Sequence, residues 1–250
     1  MTSQLYHCTS KKSLRSILAS RHFIPSFCLE QYDYLDEDSW NWAFPMVCFA
    51  DFSNDLEVKN HMEQFNSDSY LVMSKDWALK NGLSPVLYYN KSTHLSEALR
   101  VIHENAYKLY KEDRNNIEKR NLFNALFKVI AHSKKYSGKY YIKKDRKWSE
   151  NEAQFYNEHE WRYVPTVKEE GYELMFEDEF LDHTRWINKQ SFFNFKYSLF
   201  FNWDDIIEIG CQPDEYDEIM KIASISFKIV LRQVQKKIKT ISIYAVQENL

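Results

Sequence analysis

Only four glycines, Gly82, Gly138, Gly171 and Gly210, punctuate the 250 residues of this chain, well below the ~7% of average usage. No two stand close enough to build G-x-G-x-x-G or G-x-x-x-x-G-K. Those loops require glycine because the backbone must approach a phosphate with no Cβ in the way. Rossmann-type and Walker-type cradles are therefore excluded, and any nucleotide bound here is held by side chains and non-glycine backbone.

Hydrophobic residues make up 44% and charged residues 28%, with an aromatic share of 16%, so order is expected nearly throughout. A chain of this length fits one elaborated domain, and a single domain over 1–250 is the expectation. The four cysteines, Cys8, Cys28, Cys48 and Cys211, form no C-x-x-C pair and read as reduced thiols. The N-terminus lacks a charged-then-apolar leader pattern, and no run approaches the ~18 apolar residues of a spanning helix. No membrane association is expected, and the cytoplasm is the default location. A net charge of -3 exerts no global pull on nucleic acid, so such contact requires a local basic patch.

Along the chain, short strands and capped helices alternate. Leu5-Tyr-His-Cys reads as a strand, with Ser10 or Ser13 capping a helix that carries Leu14, Ile17 and Leu18 on one face. His22 to Phe27 reads as extended, Phe44 to Ala50 as a buried strand bounded by Pro45 and the polar loop from Asp51 to Asp55, and Tyr70-Leu-Val-Met as another strand. Ser74 caps a helix through Trp77, Ala78 and Leu79 that stops at Asn81-Gly82 with Pro85 beyond, and Val86-Leu-Tyr-Tyr follows as a strand. Apolar residues at Leu95, Leu99, Ile102, Ala106 and Leu109, then Leu122, Leu126 and Ile130, mark two amphipathic helices between Thr93 and His132. Beyond a basic stretch, the spacing predicts a strand from Glu158 to Pro165 and a hairpin-like polar segment toward Asp182. It then predicts a strand from Ile206 to Cys211, a helix opened by Pro213, and a final strand Ile241-Ser-Ile-Tyr-Ala-Val.

Three segments carry candidate chemistry. In a strand, residues two apart share a face, so Glu158, Glu160 and Arg162 would line one side and His159, Trp161 and Tyr163 the other. Two convergent carboxylates can stabilise a developing positive charge or accept hydrogen bonds from sugar hydroxyls. The same spacing also fits an exposed Glu160–Arg162 ion pair over a buried Trp161. His7 sits where a strand runs into a helix start, a setting of free N–H groups and hydroxyls that suits phosphate or ribose, although a lone histidine beside a strand also serves structure. From Lys134 to Trp148, Lys134, Lys135, Lys139, Lys143, Lys144, Arg146 and Lys147 interleave with Tyr136, Tyr140, Tyr141 and Trp148, against the single acid Asp145. This is either a solvated lysine-rich loop or a groove for RNA or DNA, with Lys143, Lys144, Lys147 and Tyr140 as contacts. No H-E-x-x-H, Cys/His cluster or G-x-S-x-G is present, so neither a catalytic zinc nor a serine hydrolase is indicated.

Taken together, Leu5-Tyr-His-Cys-Thr-Ser, Val47-Cys-Phe-Ala-Asp-Phe, the segment from Ser74 to Asn90 and Glu158-His-Glu-Trp-Arg-Tyr-Val resemble the AbiGi family of abortive phage-infection proteins. Tyr-His-x-Thr and Glu-Trp-Arg also resemble elements of the ADP-ribosyltransferase fold. The resemblance implies an α+β architecture, an ADP-ribosyltransferase-like split β-sheet core with a helical insertion at about 93–132. By the same resemblance His7 and Thr9 hold NAD, Glu160 and Glu158 are catalytic, and Phe49, Asp51 and Ser53 stand where such enzymes carry Ser-Thr-Ser or a stacking tyrosine. Cleaving the ribose–nicotinamide bond builds oxocarbenium character, which a fixed carboxylate stabilises by accepting the ribose 2′-hydroxyl. NAD would be a substrate and no metal would be needed. The implied function is phage defence by transfer of ADP-ribose to a macromolecular target, with nucleic acid a candidate acceptor. Two alternatives stand beside it. One is a non-catalytic antitoxin or sensor with the same fold, since AbiGi proteins have been regarded as the antitoxin half of a two-gene system with a cognate partner; the other is a nucleic-acid-binding module.

Overall fold

Side-chain oxygens start most of the longer helices, and they do so where the sequence places them. In the computed structural model, Ser10, Asn54, Ser74, Thr93, Asn116 and Asp182 each accept a hydrogen bond from a backbone N–H in the first turn of the helix that follows, supplying partners to donors the helix cannot satisfy itself. The structure describes residues 4–32, 40–144, 147–168, 173–193 and 195–241, with the backbone alone for residues 40, 140–144 and 147–151. The fold is mixed, with helices and several sheets. The chain divides into two compact units, 1–24 with 48–83 and 198–250, and 25–47 with 84–197.

In the first unit the strand Gln4–Thr9 pairs antiparallel with Ser69–Ser74, His7 opposite Leu71, and meets the end of the strand Trp40–Ala50 at Tyr6 and Ala50. Every residue from Ser69 to Met73 is buried, the continuous run expected of an interior strand covered on both faces. Its other edge pairs with Ile206–Cys211, and Ile238–Thr240 runs parallel to that strand. Gly210 lies opposite Tyr70, and a Cβ added at Gly210 would stand 2.3 Å from the tyrosine ring. Helix Lys11–Ser20 buries Leu14 and Leu18 and is capped by Ser10, not Ser13. Helix Lys75–Lys80 buries Trp77, whose Nε1 donates to the Phe200 carbonyl at 3.0 Å.

Two parts of this unit differ from the sequence reading. The polar loop expected from Asp51 to Asp55 ends at Asn54, where a helix not placed from the sequence, Asp55–Gln64, begins: Asn54 accepts from Glu57 N while Glu57 Oε1 accepts from Asn54 Nδ2. The expected final strand falls largely on 242–246, outside the described residues; the last strand described is Ile238–Thr240.

In the second unit, Ser26–Tyr32 pairs antiparallel with residues 40–46 of Trp40–Ala50, and Met175–Phe176 pairs with Ala43 and Trp42. Pro45 does not bound this strand but sits inside it, opposite Phe27; proline's fixed φ suits extended backbone, and only one donor is lost. Glu160–Tyr163 pairs with Ser84–Pro85, and Leu87–Tyr89 runs parallel to Ser133–Lys135. The expected helical pair is present as His94–Glu112 and Ile117–Ala131. Its buried face is shifted from the apolar positions first counted: Leu99, His103 and Ala106 are buried, whereas Leu95 and Ile102 are exposed. The short strand Met175–Phe176 and the helix Glu177–Leu181 lie where a hairpin-like segment toward Asp182 was expected, and Asp182 caps a further helix, His183–Ser191.

Thr93 forms a reciprocal capping box with Ser96. Thr93→Ala is expected to lower stability by about 1 kcal/mol, the usual worth of such a cap, measured as a lower urea midpoint with an unchanged slope.

Candidate functional site

The acids singled out in the sequence converge, but by a different route from a shared strand face. Residues Phe155–Glu158 form a 3₁₀ turn, His159 takes a left-handed φ of 43°, and the strand begins only at Glu160. Glu158 is thus on the turn, not on the strand. Both carboxylates nevertheless reach one ammonium group: Lys134 Nζ donates to Glu158 Oε2 at 3.0 Å and to Glu160 Oε2 at 2.9 Å.

Arg162, fully buried, completes the network. Its Nε donates to Glu160 Oε1 at 2.6 Å, its Nη2 to Glu160 Oε2 at 3.0 Å and also to Glu30 Oε1, and its Nη1 to the Ala131 carbonyl at 2.8 Å. Glu160 retains only 3% of its surface. Its backbone is also tied, with the N–H donating to Tyr88 Oη at 2.8 Å and the carbonyl accepting from Val86 N at 2.9 Å. The exposed ion pair over a buried Trp161 is therefore inverted: the pair is buried and Trp161 is half-buried. An alternating strand buries one face, and this strand turns its charged face inward, which is sustainable only because every charge meets a counter-charge.

Electrostatics follow the geometry. Burial pushes the Glu158 carboxyl up to about 7, against the pull of Lys134 and with added repulsion from Glu160. Burial disfavours the Lys134 ammonium, but Glu158, Glu160 and Glu30 outweigh it and hold its pKa well above the ordinary value. Lys134 also lies 4.4 Å from the centre of the Phe155 ring. It is therefore not part of a solvated basic surface, and its neighbour Lys135 donates to Gln31 Oε1 at 3.2 Å. The rest of the basic segment forms an antiparallel hairpin, Gly138–Lys144 with Lys147–Ala153, pairing Lys144 with Lys147, Lys143 with Trp148 and Tyr140 with Asn151. The side chains of Tyr140, Lys143, Lys144 and Lys147, and all of Asp145 and Arg146, lie outside the described residues.

The expected cofactor residues belong to the first unit. His7 Nδ1 bonds to the Cys48 carbonyl at 2.8 Å; a carbonyl only accepts, so Nδ1 carries the proton and Nε2 the lone pair. The ring meets Phe23 at 4.9 Å and Phe49 at 5.4 Å. Burial lowers the imidazole's pKa, with Cys48 opposing, so the ring is neutral at physiological pH. Phe49 is buried among Phe23 and Trp77, Thr9 lends its carbonyl to Asp68 N, and Asp51 accepts from Lys75 Nζ at 2.6 Å. The structure thus groups His7 with Phe49 and Glu158 with Glu160, in separate units. Among the described residues no three His, Cys, Asp or Glu side chains converge as a metal site would require, and no helix is long and apolar enough to cross a membrane.

Residues 21–212 match the family described as "Putative abortive phage resistance protein AbiGi, antitoxin", which is more than half of the chain. The chain belongs to the AbiGi family. The abortive phage resistance protein AbiGi of Lactococcus lactis subsp. cremoris is 30% identical over 158 residues, 57% of this chain and 61% of that protein, so the similarity spans about three-fifths of the relative's length. No solved structure matches. The AbiGi-matched region includes Glu30, Lys134, Glu158, Glu160 and Arg162 and begins after His7 and Thr9. Two members of the network were missed in the sequence reading. Glu30 gave no local signal because it meets Arg162 across 132 positions. Lys134 was masked by the lysines around it, although its place two residues into a segment that pairs with Leu87–Tyr89 marks it as strand.

Proposed function

We propose that this AbiGi protein is the antitoxin half of an abortive phage-infection pair, acting in the cytoplasm by binding a cognate toxin protein rather than by chemistry. The supporting observation is the state of Glu160. Transfer of ADP-ribose needs a carboxylate aimed at the nicotinamide ribose and free to accept its 2′-hydroxyl as positive charge develops. Here both Glu160 oxygens accept from Arg162 or Lys134 inside the same unit, and the residue is closed to solvent. An acid so neutralised contributes to holding a fold and little to an oxocarbenium ion. In this reading the chain keeps an ADP-ribosyltransferase-like architecture with its acids turned to structural use, and the family's antitoxin description agrees with it.

The test is co-expression with the protein encoded beside it. Growth arrest by that neighbour should be relieved by this chain, and the two should purify as a complex. Incubation of this chain with labelled NAD and cell extract should leave no label on macromolecules. Label transfer by the wild type that falls roughly 10²-fold in Glu160→Gln, the scale of removing one preorganised electrostatic group, would instead establish the NAD-dependent transferase.

A further inference from the structure

The buried network around Lys134 carries one oxygen with nothing to do. Glu158 and Glu160 pair with Lys134, and Glu30 and Glu160 with Arg162, while Glu158 Oε1, shielded from water, has no hydrogen-bond partner. A buried carboxylate oxygen without a donor is costly when charged and far less so when protonated. Glu158 also differs from its companions in what carries it. Glu160 and Arg162 sit on a paired strand, whereas Glu158 ends a four-residue 3₁₀ turn anchored by the buried Phe155 ring, by Gln154 and Asn157 side chains and by a few backbone bonds. Those bonds run from Tyr156 N to the Tyr136 carbonyl, from Asn157 N to the Gln154 carbonyl and from His159 N to the Tyr156 carbonyl, each at 3.2 Å. The left-handed φ of 43° at His159 is an unfavourable backbone for a residue with a side chain. Such a turn is the part of the network best able to move.

We propose that Glu158 is a proton-operated latch: with its carboxyl protonated the Phe155–Glu158 turn stays packed on Lys134, and release of that proton to solvent lets the turn swing out and carry Glu158 into water. Burial of the carboxyl fixes the sign, and the groups facing Glu158 modify it. Lys134, on the strand Ser133–Lys135, favours the ionised form; Glu160 on its strand and Glu30 on Ser26–Tyr32 oppose it. Arg162 spends its donors on Glu160, Glu30 and the Ala131 and Ser133 carbonyls, and the Tyr88 hydroxyl, itself pushed upward by burial and by Glu160, remains neutral. With the closed turn holding the carboxyl near 7 and a solvated glutamate returning toward 4.5, the closed form binds the proton more tightly. Packing of the turn is then fully supported below pH 4.5 and weakens as pH rises to about 7. Linkage makes the opening equilibrium grow about tenfold per pH unit across that window and level off above it.

What moves with the turn is an aromatic patch. Tyr156, 44% exposed, stacks on Tyr136 at 5.1 Å and meets Tyr88 and His159 edge-on, each at 5.4 Å. Opening dismantles that patch, so proton activity near neutrality sets whether it is presented. This holds whether or not the chain is an antitoxin.

The experiment is amide hydrogen exchange at Tyr156, Asn157 and His159 in the full chain, corrected for intrinsic base catalysis, between about pH 5 and pH 8. Wild-type protection should fall at least about tenfold as pH rises, whereas Glu158→Gln should show no such fall. Equal pH dependence in both proteins, or none in either, overturns the latch. Should Glu158→Gln fail to fold, the wild-type Glu158 titration followed by carbon NMR is set beside the wild-type exchange at the same amides. A carboxyl titrating above the ordinary glutamate value of about 4.3 together with the fall in protection sustains the proposal, and an ordinary midpoint, or a raised one with unchanged protection, overturns it.

Discussion

Arg162→Met should destabilise the second unit by about 3–5 kcal/mol, the cost of breaking a buried ion pair by removing one partner. The guanidinium is fully buried and donates to Glu160, Glu30 and two backbone carbonyls. A methionine of similar length fills the volume but leaves two carboxylates facing each other across apolar surroundings, with Lys134 alone to offset them. Against a domain stability of roughly 5–15 kcal/mol, that loss should move the urea midpoint far to the left. Arg162→Lys should recover little, because a point charge cannot serve the fork of acceptors that the planar group spans. Adding Glu160→Leu to Arg162→Met should recover more than the lysine does, since it removes the stranded charge. A midpoint shift worth less than about 1 kcal/mol, the scale of an exposed ion pair, would show that the network is open to water.

Gly210→Ala should be nearly as damaging for the first unit, by about 2–3 kcal/mol or more, the range for forcing an extra carbon into a packed core. The added Cβ would lie 2.3 to 2.6 Å from three ring carbons of Tyr70, and the ring has no room to retreat. Its hydroxyl donates to Glu208 Oε1 at 2.6 Å and its edge packs on Tyr6 at 5.5 Å. The tyrosine covers the bare backbone of its cross-strand partner, and the pair works only as large against none. Gly210→Ala combined with Tyr70→Leu should be less harmful than the sum of the two single changes, because the smaller side chain removes the clash. Additive losses would show that the glycine is needed for some other reason. Gly82, by contrast, has a positive φ of 76° and nothing near its Cβ direction; its substitution strains the turn after Lys80 without a collision.

What the sequence disclosed and what it concealed divide along the range of the forces involved. Ser10 and Ser74 could be read as caps because the hydroxyl and the N–H it serves lie three residues apart. The interior strand at Tyr70 and the helix behind Pro213 were likewise legible from local pattern. The helix after Asn54 was lost to a view of Asp, Ser and Asn as loop formers, although the same residues start helices. Glu158 and Glu160 were rightly singled out as an acid pair, yet period-two reasoning put both on one strand face and missed the turn that brings them to Lys134. Their partner Glu30 was invisible, because nothing near position 30 distinguishes a strand glutamate in water from one that meets a buried guanidinium. Charge burial is a property of the assembled sheet, and a single sequence records it only where the partners happen to be neighbours.

The discontinuous make-up of the two units sets an order for the growing chain. Every segment of 25–47 with 84–197 has been synthesised before the strand Ile206–Cys211 is made, while the unit containing Gln4–Thr9 still lacks that strand and the helix Tyr216–Phe227. Synthesis at about 5–20 residues per second leaves the earliest-made strand waiting roughly 10–40 seconds for its last neighbours. The unit that holds the N-terminal strand is thereby the later of the two to receive all its segments, and a released chain ending near residue 197 would have every segment of one unit and an open sheet edge in the other.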